Sequence, residues 1–121
     1  GNLGRALTYY GGFASGGFPI KGLVDSSPEV IGQEVAGITV EPFEKLKDVV
    51  QKNSCTLGII ATPAAAAQLV ADQLFDAGIY SILNFAPGLV AVPESVTLRK
   101  VDLATELHIL AFHEQQRERN E

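Results

Sequence analysis

Apolar residues fall into short runs separated by longer stretches in which they recur at helical spacing, and this alternation continues along the whole chain. It predicts strands over 20–24, 38–40, 57–61, 79–83 and 96–101. The first is closed by Asp25 and the last by Asp102. A helix is expected from Gly1 to Tyr10, followed by a flexible turn carrying Gly11, Gly12, Gly16 and Gly17. Ser26, Ser27 and Pro28 read as a turn leading into a stub of helix over 29–31 that Gly32 ends. Pro42 sits where a first helical residue would, and Phe43, Leu46, Val49 and Val50 make one buried stripe through Lys52. Thr62 can cap the next helix, with Pro63 in its first turn, Leu69, Val70, Leu74 and Phe75 inward, and Gly78 as its stop. A last helix over 104–117 places Leu107, Leu110 and Ala111 on one face beside Ile109 and Phe112, and the tail 114–121 is expected to be frayed and solvated. Short strands alternating with helices imply a parallel sheet in an α/β fold.

The length of 121 residues matches one domain. With 46% hydrophobic and 19% charged residues and no apolar run near the ~18 needed to span a bilayer, the chain reads as soluble, without a membrane partner. A net charge of −5 argues against a nucleic-acid surface on this segment, because phosphate neutralisation needs clustered Lys and Arg. The single Cys55 excludes an internal disulfide and a multi-cysteine metal site, and reads as a small residue leading into a buried strand. It fits a reducing compartment, and no export signal opens the chain, so a cytoplasmic location is expected.

A parallel sheet binds its ligand at the carboxyl ends of its strands, so the residues just after each strand are the candidates for chemistry. Gly1-Asn2-Leu3-Gly4 reads either as the second half of a G-x-G-x-x-G turn, cradling a pyrophosphate at a helix start, or as an ordinary helix start. Asp25 ends a strand 21 residues after Gly4, near the spacing of the carboxylate that grips an adenosine ribose; it can equally cap the following turn through Ser27. A carboxylate there would favour NAD over NADP, since it repels a 2′-phosphate. Thr62-Pro63 and Asn84-Phe85-Ala86-Pro87 end two further strands and offer no base, nucleophile or metal ligand. Asn84 and Phe85 can face a nicotinamide, or Phe85 can simply be core. His108 and His113 lie five apart on different faces of the last helix and read as solvated or packed, so neither a metal nor a catalytic residue is expected. Hydride transfer to an alcohol or ketone needs a placed acid or base, and none is evident, so the chain is not expected to be an enzyme. The last helix either covers its own sheet or meets a partner subunit.

Gly-Asn-Leu-Gly-Arg-Ala-Leu, Leu-Val-Asp-Ser-Ser-Pro, Ile-Ala-Thr-Pro-Ala, Ser-Ile-Leu-Asn-Phe-Ala-Pro and Val-Asp-Leu-Ala-Thr-Glu-Leu together closely resemble the Rex family of redox-sensing transcriptional repressors. The resemblance implies a homodimer with an N-terminal winged-helix DNA-binding domain and a C-terminal Rossmann domain that senses NAD(H); NADH releases operator DNA and NAD⁺ permits binding. Residues 1–103 would form the nucleotide domain, a doubly wound parallel sheet lacking its first strand. Residues 104–121 would form a dimerisation helix, exchanged between subunits, and a polar tail. By position, Gly1, Asn2, Leu3 and Gly4 would hold the pyrophosphate and Asp25 the ribose, while Thr62, Pro63, Asn84, Phe85, Ala86 and Pro87 would line the rest. Asp102 would meet a tyrosine of the other subunit at the position of Tyr10, and Leu103 would approach the nicotinamide. Asp102 would then respond to the positive charge of the oxidised ring. The winged helix and the strand normally preceding Gly1 are expected to lie outside these residues, which would leave unpaired backbone on two neighbouring strands. A fragment of an NAD-dependent dehydrogenase and a CoA-binding ligase module share the sheet and glycine turn and stand as alternatives.

Overall fold

The computed structural model describes residues 16–120. The expected opening helix, and with it Gly1, Asn2, Leu3, Gly4 and Tyr10, lies outside the described residues. The chain runs β1 (Leu23–Asp25), β2 (Glu34–Val35), β3 (Ile38–Pro42), a 3-10 turn (Phe43–Lys45), α1 (Leu46–Asn53), β4 (Gly58–Ile60), α2 (Ala64–Asp76), β5 (Ser81–Asn84), β6 (Thr97–Lys100) and α3 (Leu103–Asn120). The alternation is that of an α/β fold, with β4, β5 and β6 wholly parallel and β1 parallel to β3.

The strands form two three-stranded sheets, ordered β1-β3-β2 and β4-β5-β6, in place of one continuous sheet. A doubly wound order sets the equivalents of β1 and β4 on either side of a central strand. Among the described residues no ladder joins these two. Side chains join them instead: Leu46 and Val50 of α1 share one core cluster with Ile60, Ile82, Ala67, Ala71 and Leu74, and Val24 of β1 packs against it. Ile60 and Ile79 are completely buried, and each contributes about 1.5–3 kcal/mol through apolar area removed from water.

Several boundaries differ from the pattern-based expectation for identifiable reasons. Pro42 closes β3, with φ −59° and ψ 146°, because its ring fixes φ without forbidding an extended backbone. The α-helix therefore starts only at Leu46, although the stripe Leu46, Val49 and Val50 is buried as expected and Phe43 packs beside it. Likewise α2 starts at Ala64 with Pro63 as its cap residue, so Thr62 does not cap it; the Thr62 hydroxyl donates to the Pro63 carbonyl at 3.2 Å. On α2 the buried residues are Ala67, Ala71 and Leu74, spaced four and three apart, while Leu69 is 56% exposed and not inward. Alanine lines the inner face because it lets the helix approach the sheet closely. The helix ends as Gly78 suggests: Gly78, at φ 93°, donates to Phe75, and Ile79 donates to Leu74 at 2.9 Å, which is a Schellman motif with its usual apolar contact between the same two positions. The tail expected to fray is helical, since α3 runs to Asn120.

β2 was not anticipated. It pairs antiparallel with β3 through a two-residue turn in which Ala36 (φ 52°) and Gly37 (φ 82°) are both left-handed. Two left-handed central residues define the hairpin turn that matches strand twist, a geometry that alanine adopts at a cost of about 1–2 kcal/mol. Ala36→Asn is accordingly expected to stabilise the protein by about 0.5–1 kcal/mol. The check is a urea midpoint that rises with an unchanged slope.

Candidate functional site

Asp25 is the last residue of β1, beside Pro42 of β3, at the carboxyl end of that parallel pair. It is half-buried, and its Oδ1 accepts the Ser27 N–H at 2.9 Å. That bond fixes the turn into the single helical turn where Val30 and Ile31 both donate to the Ser27 carbonyl at 3.1 Å. The turn role read from Asp-Ser-Ser-Pro is thus present, and it holds the carboxylate at the strand end. NAD-type recognition needs an acidic group in that place.

The ends of β4 and β5 come together. Ile60 is in register with Asn84, and the Phe85 N–H donates to the Ile60 carbonyl at 2.9 Å. A Cβ placed on Gly88 would lie 4.0 Å from that of Ala64, so the 85–88 loop rests against the first turn of α2. Thr62, Pro63, Asn84, Phe85, Ala86 and Pro87 therefore form one neighbourhood. Phe85 and Thr62 are half-buried, Pro63 and Pro87 exposed, and Ala86 belongs to the core. The first turn of α2 has no acidic residue and no side-chain cap, which leaves the positive end of the helix for an anion or an acceptor.

Asn84 is the polar centre of this neighbourhood. It is 0% exposed, its Oδ1 accepts the Ala86 N–H at 2.9 Å, and its Nδ2 is buried without an acceptor. An unsatisfied buried donor costs about 1–3 kcal/mol, so this nitrogen favours any ligand that brings an oxygen to it. Sequence reading placed Asn84 in the site but gave no sign that one of its atoms lacked a partner. Gln68 is a further feature that sequence reading gives no sign of: its amide forms two bonds to the Ala91 main chain, Nε2 to the carbonyl at 2.8 Å and Ala91 N–H to Oε1 at 2.9 Å. That clamp fixes the far side of the 88–92 loop. An exposed glutamine on a helix carries no sequence signal for it.

Beyond β6, Val101 N–H donates to the Asn84 carbonyl at 2.9 Å. Asp102 then caps α3, its Oδ1 accepting Thr105 N–H at 3.1 Å and its carbonyl Glu106 N–H at 3.1 Å. Leu103 is the first residue of α3. Residues 105–119 of that helix are exposed throughout, including Leu107, Ile109, Leu110 and Phe112, so it does not cover its own sheet. His108 and His113 are exposed on it. Among the described residues no cluster of His, Cys, Asp and Glu could hold a metal, and no helix is long and apolar enough to cross a membrane. Burial raises the Cys55 thiol above its ordinary range, which keeps it protonated near neutrality.

The family described as CoA binding domain matches residues 1–88. The redox-sensing transcriptional repressor Rex of Streptomyces coelicolor is 55% identical over 117 residues, which cover 97% of this chain and 45% of that protein. The Rex of Desulfitobacterium hafniense is 47% identical over 113 residues, covering 93% and 54%. The chain spans about half the length of the curated relatives it matches. Among solved structures, RSP, a Rex-family repressor, superposes with a TM-score of 0.88 at 35% identity, over 98% of this chain and 56% of that one. RSP in complex with β-NADH superposes at 0.87, again at 35% identity, over 98% and 57%. RSP in complex with β-NAD⁺ and operator DNA superposes at 0.85 and 35% identity, over 98% and 54%. The α/β architecture described above is thus that of a Rossmann-like domain found in Rex-family repressors.

Proposed function

This chain belongs to the CoA binding domain family, and from that premise, with its likeness to Rex repressors, we propose that it is the NAD(H)-sensing domain of a redox-responsive transcriptional repressor. The observation that carries the reading is that 98% of the chain superposes on a repressor solved with β-NADH. The donor set fits such a ligand. Asp25, at the end of β1, would serve as the ribose carboxylate, the bare first turn of α2 can receive oxygen atoms, and Asn84 offers an unused N–H. Gly1, Asn2, Leu3 and Gly4 would hold the pyrophosphate, with Thr62, Pro63, Phe85, Ala86 and Pro87 lining the remainder. When bound, the nicotinamide supplies a ring whose charge differs between its two redox forms.

In this reading residues 1–103 form the nucleotide domain, and 104–121 the dimerisation segment, in a cytoplasmic homodimer. The uninterrupted exposure of α3, four of whose large apolar residues are 46–66% exposed, supports a second copy of the chain as its cover. Tyr10, Asp102 and Leu103 would couple the subunits to the ring. Operator DNA would be bound by a winged-helix domain outside these residues, released by NADH and permitted by NAD⁺. The chain would bind nucleotide without turning it over.

Titration calorimetry on the full-length protein tests this. NADH is expected to bind more tightly than NADPH and to be undisplaced by CoA. NADH and NAD⁺ should differ by about 5- to 150-fold, the ordinary span of a coupling of about 1–3 kcal/mol. Displacement of NADH by CoA would move the assignment to a CoA-binding module, and hydride exchange with a substrate would move it to a dehydrogenase. No uptake of any of these would leave a dimerisation domain only.

A further inference from the structure

Asn84 bonds two segments through separate atoms, the loop after β5 and the residue after β6. Its Oδ1 holds Ala86 N–H, its carbonyl holds Val101 N–H, and its strand neighbour Ile60 receives Phe85 N–H, each at 2.9 Å. The orientation of the amide is settled by chemistry. Ala86 N–H is a donor, so the oxygen must face it, and the atom left over is the nitrogen. That nitrogen is buried and has no acceptor.

We infer that Asn84 is a positioning residue that ties the occupant of the strand-end site to the start of α3, its Nδ2 taking a carbonyl or phosphate oxygen of the ligand while its carbonyl holds Val101. The inference rests on the nucleotide-binding reading above. Val101 immediately precedes Asp102, whose carboxylate and carbonyl receive the first N–H groups of α3 at 3.1 Å. An acceptor that draws on Nδ2 therefore pulls on the residue that anchors the chain just before the helix cap. Because the nitrogen is covered, an acceptor reaches it only as its surroundings yield, and Ala86 and Val101 are main-chain groups bonded to the same residue. Occupancy of the site and the setting of α3 consequently move together. The bond from Ala86 N–H gives a reason for a polar side chain at this buried position, since an apolar one would hold neither the loop nor a ligand.

The test is hydrogen exchange at Val101, Thr105 and Glu106, with and without saturating NADH, in the full-length wild type and in two variants. Asn84→Asp keeps an oxygen for Ala86 N–H and removes the amide donor; Asn84→Ala removes the donor without adding a charge, so one of them reports even if the other folds poorly. In the wild type, NADH should change the exchange rates at these amides by about tenfold or more. Both variants should bind NADH about tenfold more weakly, a difference of about 1.4 kcal/mol, and at saturation should leave those three amides unchanged. Variants with wild-type affinity, or with the wild-type exchange response, overturn the inference. A wild type that takes up NADH with no change at these amides also overturns it, while leaving the functional reading standing. A wild type that takes up neither redox form removes both.

Discussion

Asp25→Ala is expected to weaken NADH binding by about 10- to 150-fold, corresponding to about 1.5–3 kcal/mol for hydrogen bonds made by a charged group. The same change should narrow the preference for NADH over NADPH, because the negative charge that opposes a 2′-phosphate is gone. Asp25 also holds Ser27 N–H at 2.9 Å, so alanine loosens the turn as well as the contact. Asp25→Asn separates the two effects: it retains an oxygen for Ser27 and loses only the charge. Asparagine should therefore keep the thermal midpoint of the free protein while relaxing the selection between the two dinucleotides. Calorimetric titration of NADH and NADPH into the three proteins is the measurement. Unaltered NADH affinity in the alanine variant would mean that the carboxylate serves the turn alone.

The second large effect concerns packing. A Cβ added at Gly22, one residue before β1, would overlap Val49 Cγ1, and Val49 is 5% exposed on the buried face of α1. Valine is branched at Cβ and holds one side-chain rotamer in a helix, so it cannot swing aside. Gly22→Ala should destabilise the protein by about 1–3 kcal/mol, the usual cost of overpacking a filled interior. Combining it with Val49→Ala removes the collision. The double variant should then be less destabilised than the sum of the two singles, by an interaction energy of about 0.5–3 kcal/mol. Additive losses in denaturant melts would show that the glycine is there for another reason.

What the sequence made legible was order and kind. Period and punctuation located every helix and parallel strand of the described chain, and Asp25, Asn84 and Asp102 each stand at the carboxyl end of a strand or just beyond it, as read. What escaped was local backbone conformation that residue type does not signal, and packing against distant segments. The β2–β3 hairpin turns on Ala36-Gly37, and alanine gives no hint of a left-handed backbone. Leu69 satisfied the helical spacing yet faces solvent, since α2 packs through Ala67 and Ala71, and a stripe of alanines is weak in any hydrophobic count. Proline was misplaced twice in the same way. Pro42 and Pro63 both sit just before a helix, with ψ of 146° and 157°, where a fixed φ is compatible with either side of the boundary. The resemblance implies one doubly wound sheet lacking its first strand, whereas the described strands form two three-stranded sheets.

The Gln68 clamp has a mechanical meaning. Its amide also donates to Asp72 at 2.9 Å, so a single side chain is braced on its own helix while it grips Ala91 twice, at 2.8 and 2.9 Å. One side chain thus links the helix that offers its positive end to the site with the loop that carries Leu89, 95% exposed and two residues before the gripped Ala91.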